Sequence, residues 1–129
     1  MTNKDLVKNC FLALFEQSNY DSAVIEKYFS AEYIQCVDGV IFDYFKFMTH
    51  IKKLKELTRS LTLKFNYIIG EGDIVFTNHT VTVVKNDGSV SKVKVIATFI
   101  IKDNKIVYCD ELTRHLEGNE DDANFGSVV

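Results

Sequence analysis

Over the first sixty residues apolar positions recur every three or four, and from Leu61 onward they recur every two. Asn3 or Thr2 can cap a first helix, with Asp5 in its opening turn. Leu6, Cys10 and Leu14, flanked by Val7, Phe11 and Phe15, give that helix a wide apolar face. The polar run Ser18-Asn19-Tyr20-Asp21 breaks the pattern. Asp21 or Ser22 then starts a shorter helix whose face is Val24, Ile25, Tyr28 and Phe29. Residues 33–39 read as an extended segment ending in an Asp38-Gly39 turn. Period two puts Tyr33, Gln35 and Val37 on one side and Ile34, Cys36 and Asp38 on the other. Asp43 caps a third helix over 44–57, with Phe45, Met48, Ile51, Leu54 and Leu57 predicted as its buried stripe.

The alternation of Leu61, Leu63, Phe65, Tyr67 and Ile69 with Thr62, Lys64 and Asn66 predicts a half-buried strand. Turns at Gly70-Glu71-Gly72-Asp73, Asn86-Asp87-Gly88 and Asp103-Asn104-Lys105 separate three more strands, over 74–84, 90–102 and 106–114. Tight turns between consecutive strands make an antiparallel meander, not a parallel βαβ sheet. No glycine-rich phosphate loop follows any strand, which removes dinucleotide and P-loop readings. The strands are apolar on both faces, as in Ile74, Phe76 and Thr80 against Val75, Val81 and Val83. One face packs on the helices. The other predicts a homodimer in which two sheets meet face to face.

Composition refines this picture. At 129 residues the chain makes one domain, with ten Phe and six Tyr supplying bulk in the absence of Trp. The net charge of −3 comes from an acidic end holding Glu117, Glu120, Asp121 and Asp122. The remainder is close to neutral, which excludes a basic nucleic-acid-binding domain. Lys52, Lys53 and Lys55 read as a solvated helix face. Three cysteines without a C-x-x-C spacing argue against a disulfide framework and for a reducing cytoplasm. His50, His79 and His115 form no metal signature, so neither metal nor cofactor is implied, and His50 and His115 are expected at the surface. The apolar run at 11–15 is too short for a membrane span or signal peptide. Residues 1–116 are therefore expected to fold, and 117–129 to form an acidic tail, mobile or draped over the surface, with Phe125 as its one aromatic.

The order of these elements resembles the nuclear-transport-factor-2-like fold, and within it the SnoaL-like (polyketide-cyclase-like) small proteins. The carrying stretches are Leu14-Phe15-Glu16-Gln17-Ser18-Asn19-Tyr20-Asp21, Tyr28-Phe29-Ser30-Ala31-Glu32-Tyr33, residues 33–39, and Asp103-Asn104-Lys105-Ile106-Val107. The ending from Asp110 to Gly118 looks like that of an uncharacterised bacterial subgroup. The resemblance implies an α+β fold, a cone-shaped α+β barrel of three N-terminal helices packed on a curved antiparallel sheet. It also implies a pocket in the cone for a hydrophobic small molecule. Members include isomerases, cyclases, dehydratases and epoxide hydrolases, while others only bind proteins, so the fold leaves the function open.

The pocket candidates are Tyr33, Cys36, Asp38, His79 and Glu111. Ketosteroid isomerase, a member of this fold, needs a carboxylate base with a tyrosine and a protonated aspartic acid as oxyanion donors. The matching positions here carry Cys36 or Val37, Cys10 or Phe11, and Ala97, none with the required group. Cys36 stands where a proton-moving His is expected and reads as an inert pocket-lining thiol, because no base adjoins it. Asp38 reads as a turn residue or a displaced base. His79 is either a cavity proton carrier or a hydrogen-bonded core histidine. In the last strand the resemblance turns Cys109 and Glu111 inward and leaves Asp110 and Arg114 for ion pairs across a dimer. An unpaired Glu111 would have a raised pKa and act as a base or ligand anchor; paired with a lysine such as Lys94, it would only join strands. Two functions follow: a small-molecule-binding protein of isomerase, cyclase or hydrolase type, or a non-catalytic dimeric interaction module.

Overall fold

A computed structural model describes residues 2–17, 19–118 and 128 of the chain. Helix α1 (Asn3–Phe15) begins at Thr2, whose hydroxyl accepts from the Asp5 amide at 3.1 Å. The Asp5 carboxylate accepts in return from the Thr2 amide at 3.2 Å, so the two residues satisfy each other's free groups. Helix α2 (Ser22–Tyr28) is capped by Asp21 and runs straight into β1 (Phe29–Val37), which starts four residues earlier than the sequence suggested. Asp38 and Gly39, both at positive φ, form a two-residue turn into a short strand, β2 (Val40–Phe42), that the sequence reading missed. Helix α3 (Tyr44–Leu57) follows from the Asp43 cap. Then come β3 (Thr58–Glu71), β4 (Ile74–Lys85), β5 (Val90–Lys102) and β6 (Lys105–Glu117).

The six strands form one sheet in the order β2-β1-β6-β5-β4-β3. The meander β3 to β6 is antiparallel, as expected, but β1 joins β6 in parallel, with Ile34 beside Tyr108 and Val37 beside Glu111. The sheet curls over the helices without closing, leaving β2 and β3 at its two edges. Among the described residues no helix is long and apolar enough to cross a membrane.

Two buried faces differ from the sequence reading. On α3 the inward residues are Phe47, His50, Ile51 and Leu54, while Phe45 is 75% exposed. Residues spaced by three fall about 60° short of a full turn at each step, so five of them cannot share one face. The i, i+3, i+4, i+7 set can. On β3 the register passes from Phe65↔His79 to Tyr67↔Asn78, and the extra residue, Asn66, makes a bulge. Leu61 and Leu63 point inward before it and Ile68 after it, so Tyr67 and Ile69 face outward. The core lies between the concave face and the helices, with Val7, Cys10, Ile25, Tyr33, Val75, Phe99 and Ile106 buried there.

Candidate functional site

Alternation along β6 turns Cys109, Glu111 and Thr113 toward the concave side and Asp110, Leu112 and Arg114 away from it. The neighbour of Glu111 on β5 is Ala97, whose small side chain leaves room for the carboxyl group. From β1 the same side receives Tyr33 and Gln35, both buried. Tyr33 donates its hydroxyl proton to Gln35 Oε1 at 2.8 Å, and Gln35 Nε2 donates to Glu111 Oε1. A directed chain of donors thus ends on the carboxyl group. Lys94, the lysine considered as a partner for Glu111, lies instead in register with Arg114 on the convex face.

These groups line a cavity of about 100 Å³. Its walls are mostly aromatic and aliphatic, with Phe11, Phe15, Phe29, Phe47 and Phe99 among them, and its polar lining includes Tyr33, Gln35, His50, His79, Glu111 and Thr113. Burial pushes the Glu111 pKa up to about 7, the Asp38 carboxylate adds to the shift, and the hydrogen bond from Gln35 opposes it. A carboxyl group in this setting exchanges its proton near neutrality. Tyr33 and Cys109 beside it are held protonated, chiefly by burial.

Two strands away on β4, level with Thr113, His79 is 2% exposed and lies within 5.6 Å, between ring centroids, of Phe11 and Phe65. Its Nδ1 shares a 3.0 Å hydrogen bond with the Thr77 hydroxyl. Burial pulls its pKa down to about 4, so it is a neutral imidazole at physiological pH. No group of three or more metal-ligating side chains occurs among the described residues.

No family model matches the chain. By sequence it is 30% identical over 126 residues to the uncharacterized protein C11D3.04c of Schizosaccharomyces pombe, covering 98% of this chain and 96% of that one. By structure it is similar to an NTF2-like protein of unknown function from Exiguobacterium sp. 255-15, with a TM-score of 0.69 and 18% identity over 83% of this chain and 97% of the other. It is also similar to IdmH, a candidate polyketide cyclase from Streptomyces antibioticus, with a TM-score of 0.73 and 12% identity over 87% and 92% of the two chains. The chain belongs to one family with that fission-yeast protein, and its fold is the nuclear-transport-factor-2-like fold. These neighbours support the SnoaL-like resemblance at the level of the fold; they do not reach the bacterial subgroup, and the sequence relative named above is a fission-yeast protein.

The five residues proposed from sequence separate into two groups. Tyr33, His79 and Glu111 line the cavity. Cys36 does not, since it shares the convex-facing parity of β1 with Ile34, one residue out of phase with Gln35. Asp38 sits outside the cavity in the β1–β2 turn, where its carboxylate accepts from the Thr113 amide at 2.8 Å and from the Thr113 hydroxyl. It acts on the site through charge. Two lining residues were passed over. Gln35 stood on the Tyr33 parity and was given no role. His50, expected at the surface, is 4% exposed and hydrogen-bonded through Nδ1 to the Val128 carbonyl. Its signal was its place three residues after Phe47 and four before Leu54. Of the acidic tail expected over 117–129, Glu117 ends β6, Gly118 follows it and Val128 packs against the core, while the rest, Phe125 included, lies outside the described residues.

Proposed function

We propose that the protein binds a small apolar organic molecule in the cavity and that Glu111 moves a proton to or from it, as an isomerase, cyclase or hydrolase requires. The observation that carries this is a carboxyl group poised near neutrality inside an apolar cavity, at the end of the Tyr33–Gln35 donor chain. A proton-transfer group works best when its pKa lies near the working pH. IdmH, described as a candidate cyclase, has the same fold.

Carbon-13 NMR titration of the Glu111 carboxyl group tests the reading, in the free protein and with 4-phenylbutan-1-ol as a neutral apolar probe. The expected midpoint is about 7 in the free protein, rising further when the probe expels water. A midpoint in the ordinary carboxylate range, or one that probe binding leaves unmoved, overturns it. In any proton transfer that the wild type catalyses, Glu111→Gln is expected to lower kcat by ~10²-fold or more.

A second reading, a dimeric interaction module, is supported by the convex face. Tyr67, Ile69, Phe76, Ile96 and Leu112 stand exposed on outward positions of adjacent strands there. We propose that this face pairs with a second copy of the chain. Three free thiols suit a reducing cytoplasm.

A further inference from the structure

Beside the cavity, between the ends of α1 and α3 and the start of β3, lies a groove of about 210 Å³. Phe11, Phe15, Leu61 and Leu63 line both spaces, so the two adjoin at these side chains. The groove differs in chemistry from the cavity. It carries two cations, Lys55 and Arg59, against one anion, Glu16, together with the polar residues Thr58, Ser60 and Thr62. Lys55 is not a freely solvated member of its lysine run. Its ammonium group lies 6.0 Å from the centre of the Phe15 ring and donates to the Gln17 carbonyl. Arg59, also in the groove's lining, donates to the Asn86 carbonyl in the β4–β5 turn at 3.0 Å.

We infer that the ligand of the cavity is an apolar organic carboxylate, its hydrocarbon part among Phe11, Phe15, Leu61 and Leu63 and its anionic group in the groove on Lys55 and Arg59. This deepens the function proposed above and rests on it. Charge fixes the orientation. The inner end holds Glu111 with Asp38 and Asp110 near enough to raise its pKa, so a second carboxylate there meets repulsion. At the groove end it meets two cations, one of them half-buried and deprived of part of its hydration. The uncharged end of the molecule is left beside Glu111. The combined space suits a molecule of roughly a dozen heavy atoms; a cavity near 150 Å³ holds a benzene ring.

The test compares 4-phenylbutyrate with 4-phenylbutan-1-ol, which shares the skeleton and lacks the charge. Calorimetric titration into the full chain is expected to show the acid binding about tenfold or more tightly, as a charge-assisted hydrogen bond provides. In the double variant Lys55→Met/Arg59→Gln the gap closes while the alcohol stays within about twofold of its wild-type affinity. Equal affinities in the wild type, or a gap that survives in the variant, overturn the inference and leave the pocket intact. If neither compound binds, the pocket itself is overturned. Should the variant fail to fold, the wild type decides: the gap must shrink between about 20 mM and about 500 mM salt, and a gap indifferent to salt overturns the inference.

Discussion

Glu111 and His79 share a cavity and respond to it with opposite signs, because desolvation disfavours the charged form of each. For Glu111 the folded pKa lies above the unfolded value. Its contribution to stability is full below about pH 4.5 and is lost as pH rises through about 7. For His79 the folded pKa lies below the unfolded value, so its contribution is present above about pH 6.5 and lost as pH falls toward about 4. Denaturant unfolding across this range is expected to separate them. Glu111→Gln should gain stability relative to wild type between pH 5 and pH 8, by on the order of 1–3 kcal/mol. His79→Phe should flatten the loss on the acid side. A Glu111→Gln difference that does not change with pH contradicts the placement of the carboxyl group.

At the level of single elements, what was legible in the sequence was whatever depends on local chemistry. Thr2 and Asp21, each one of two residues offered as a cap, and Asp43 cap their helices, and the Asp-Gly turn stands as read, because capping and left-handed turns are decided within a few residues. The outward half of β3 and the stripe of α3 were misread. A bulge depends on the strand opposite, and the buried side of a helix on what it packs against. Cys36 illustrates the cost: a one-residue error of phase exchanges it with Gln35, and only Gln35 touches Glu111. Asp38 joins two elements, holding the β1–β2 turn against β6 through the Thr113 amide and hydroxyl. Asp38→Asn keeps the left-handed turn tolerable but removes a charge beside Glu111. The Glu111 titration midpoint is therefore expected to fall, with a stability loss of ~1 kcal/mol for the weakened hydrogen bonds. An unmoved midpoint would mean that Asp38 does not act on the site.

For the whole molecule, the chain has two apolar surfaces and helices for only one. The concave face is covered by α1 and α3, while Phe76, Ile96 and Leu112 on the convex face meet none of them. Asp110 and Arg114, on the same outward parity, supply opposite charges that a two-fold axis can bring together. Light scattering should accordingly give twice the 14.8 kDa chain mass, and Leu112→Glu should give a monomer that still binds the neutral probe. A wild-type monomer at micromolar concentration would exclude pairing through this face.

The parallel pairing of β1 with β6 has a bearing on how the chain folds. The strands from β3 to β6 are joined by short turns, so each meets its neighbour at little cost in loop entropy. The contact from Gln35 to Glu111 spans 76 residues and has to wait for that meander. Until β1 arrives, Glu111 stands in water as an ordinary carboxylate. Its unusual proton affinity is thus assembled in one of the last steps of folding, and any excursion that lifts β1 away dismantles the site while most of the sheet survives.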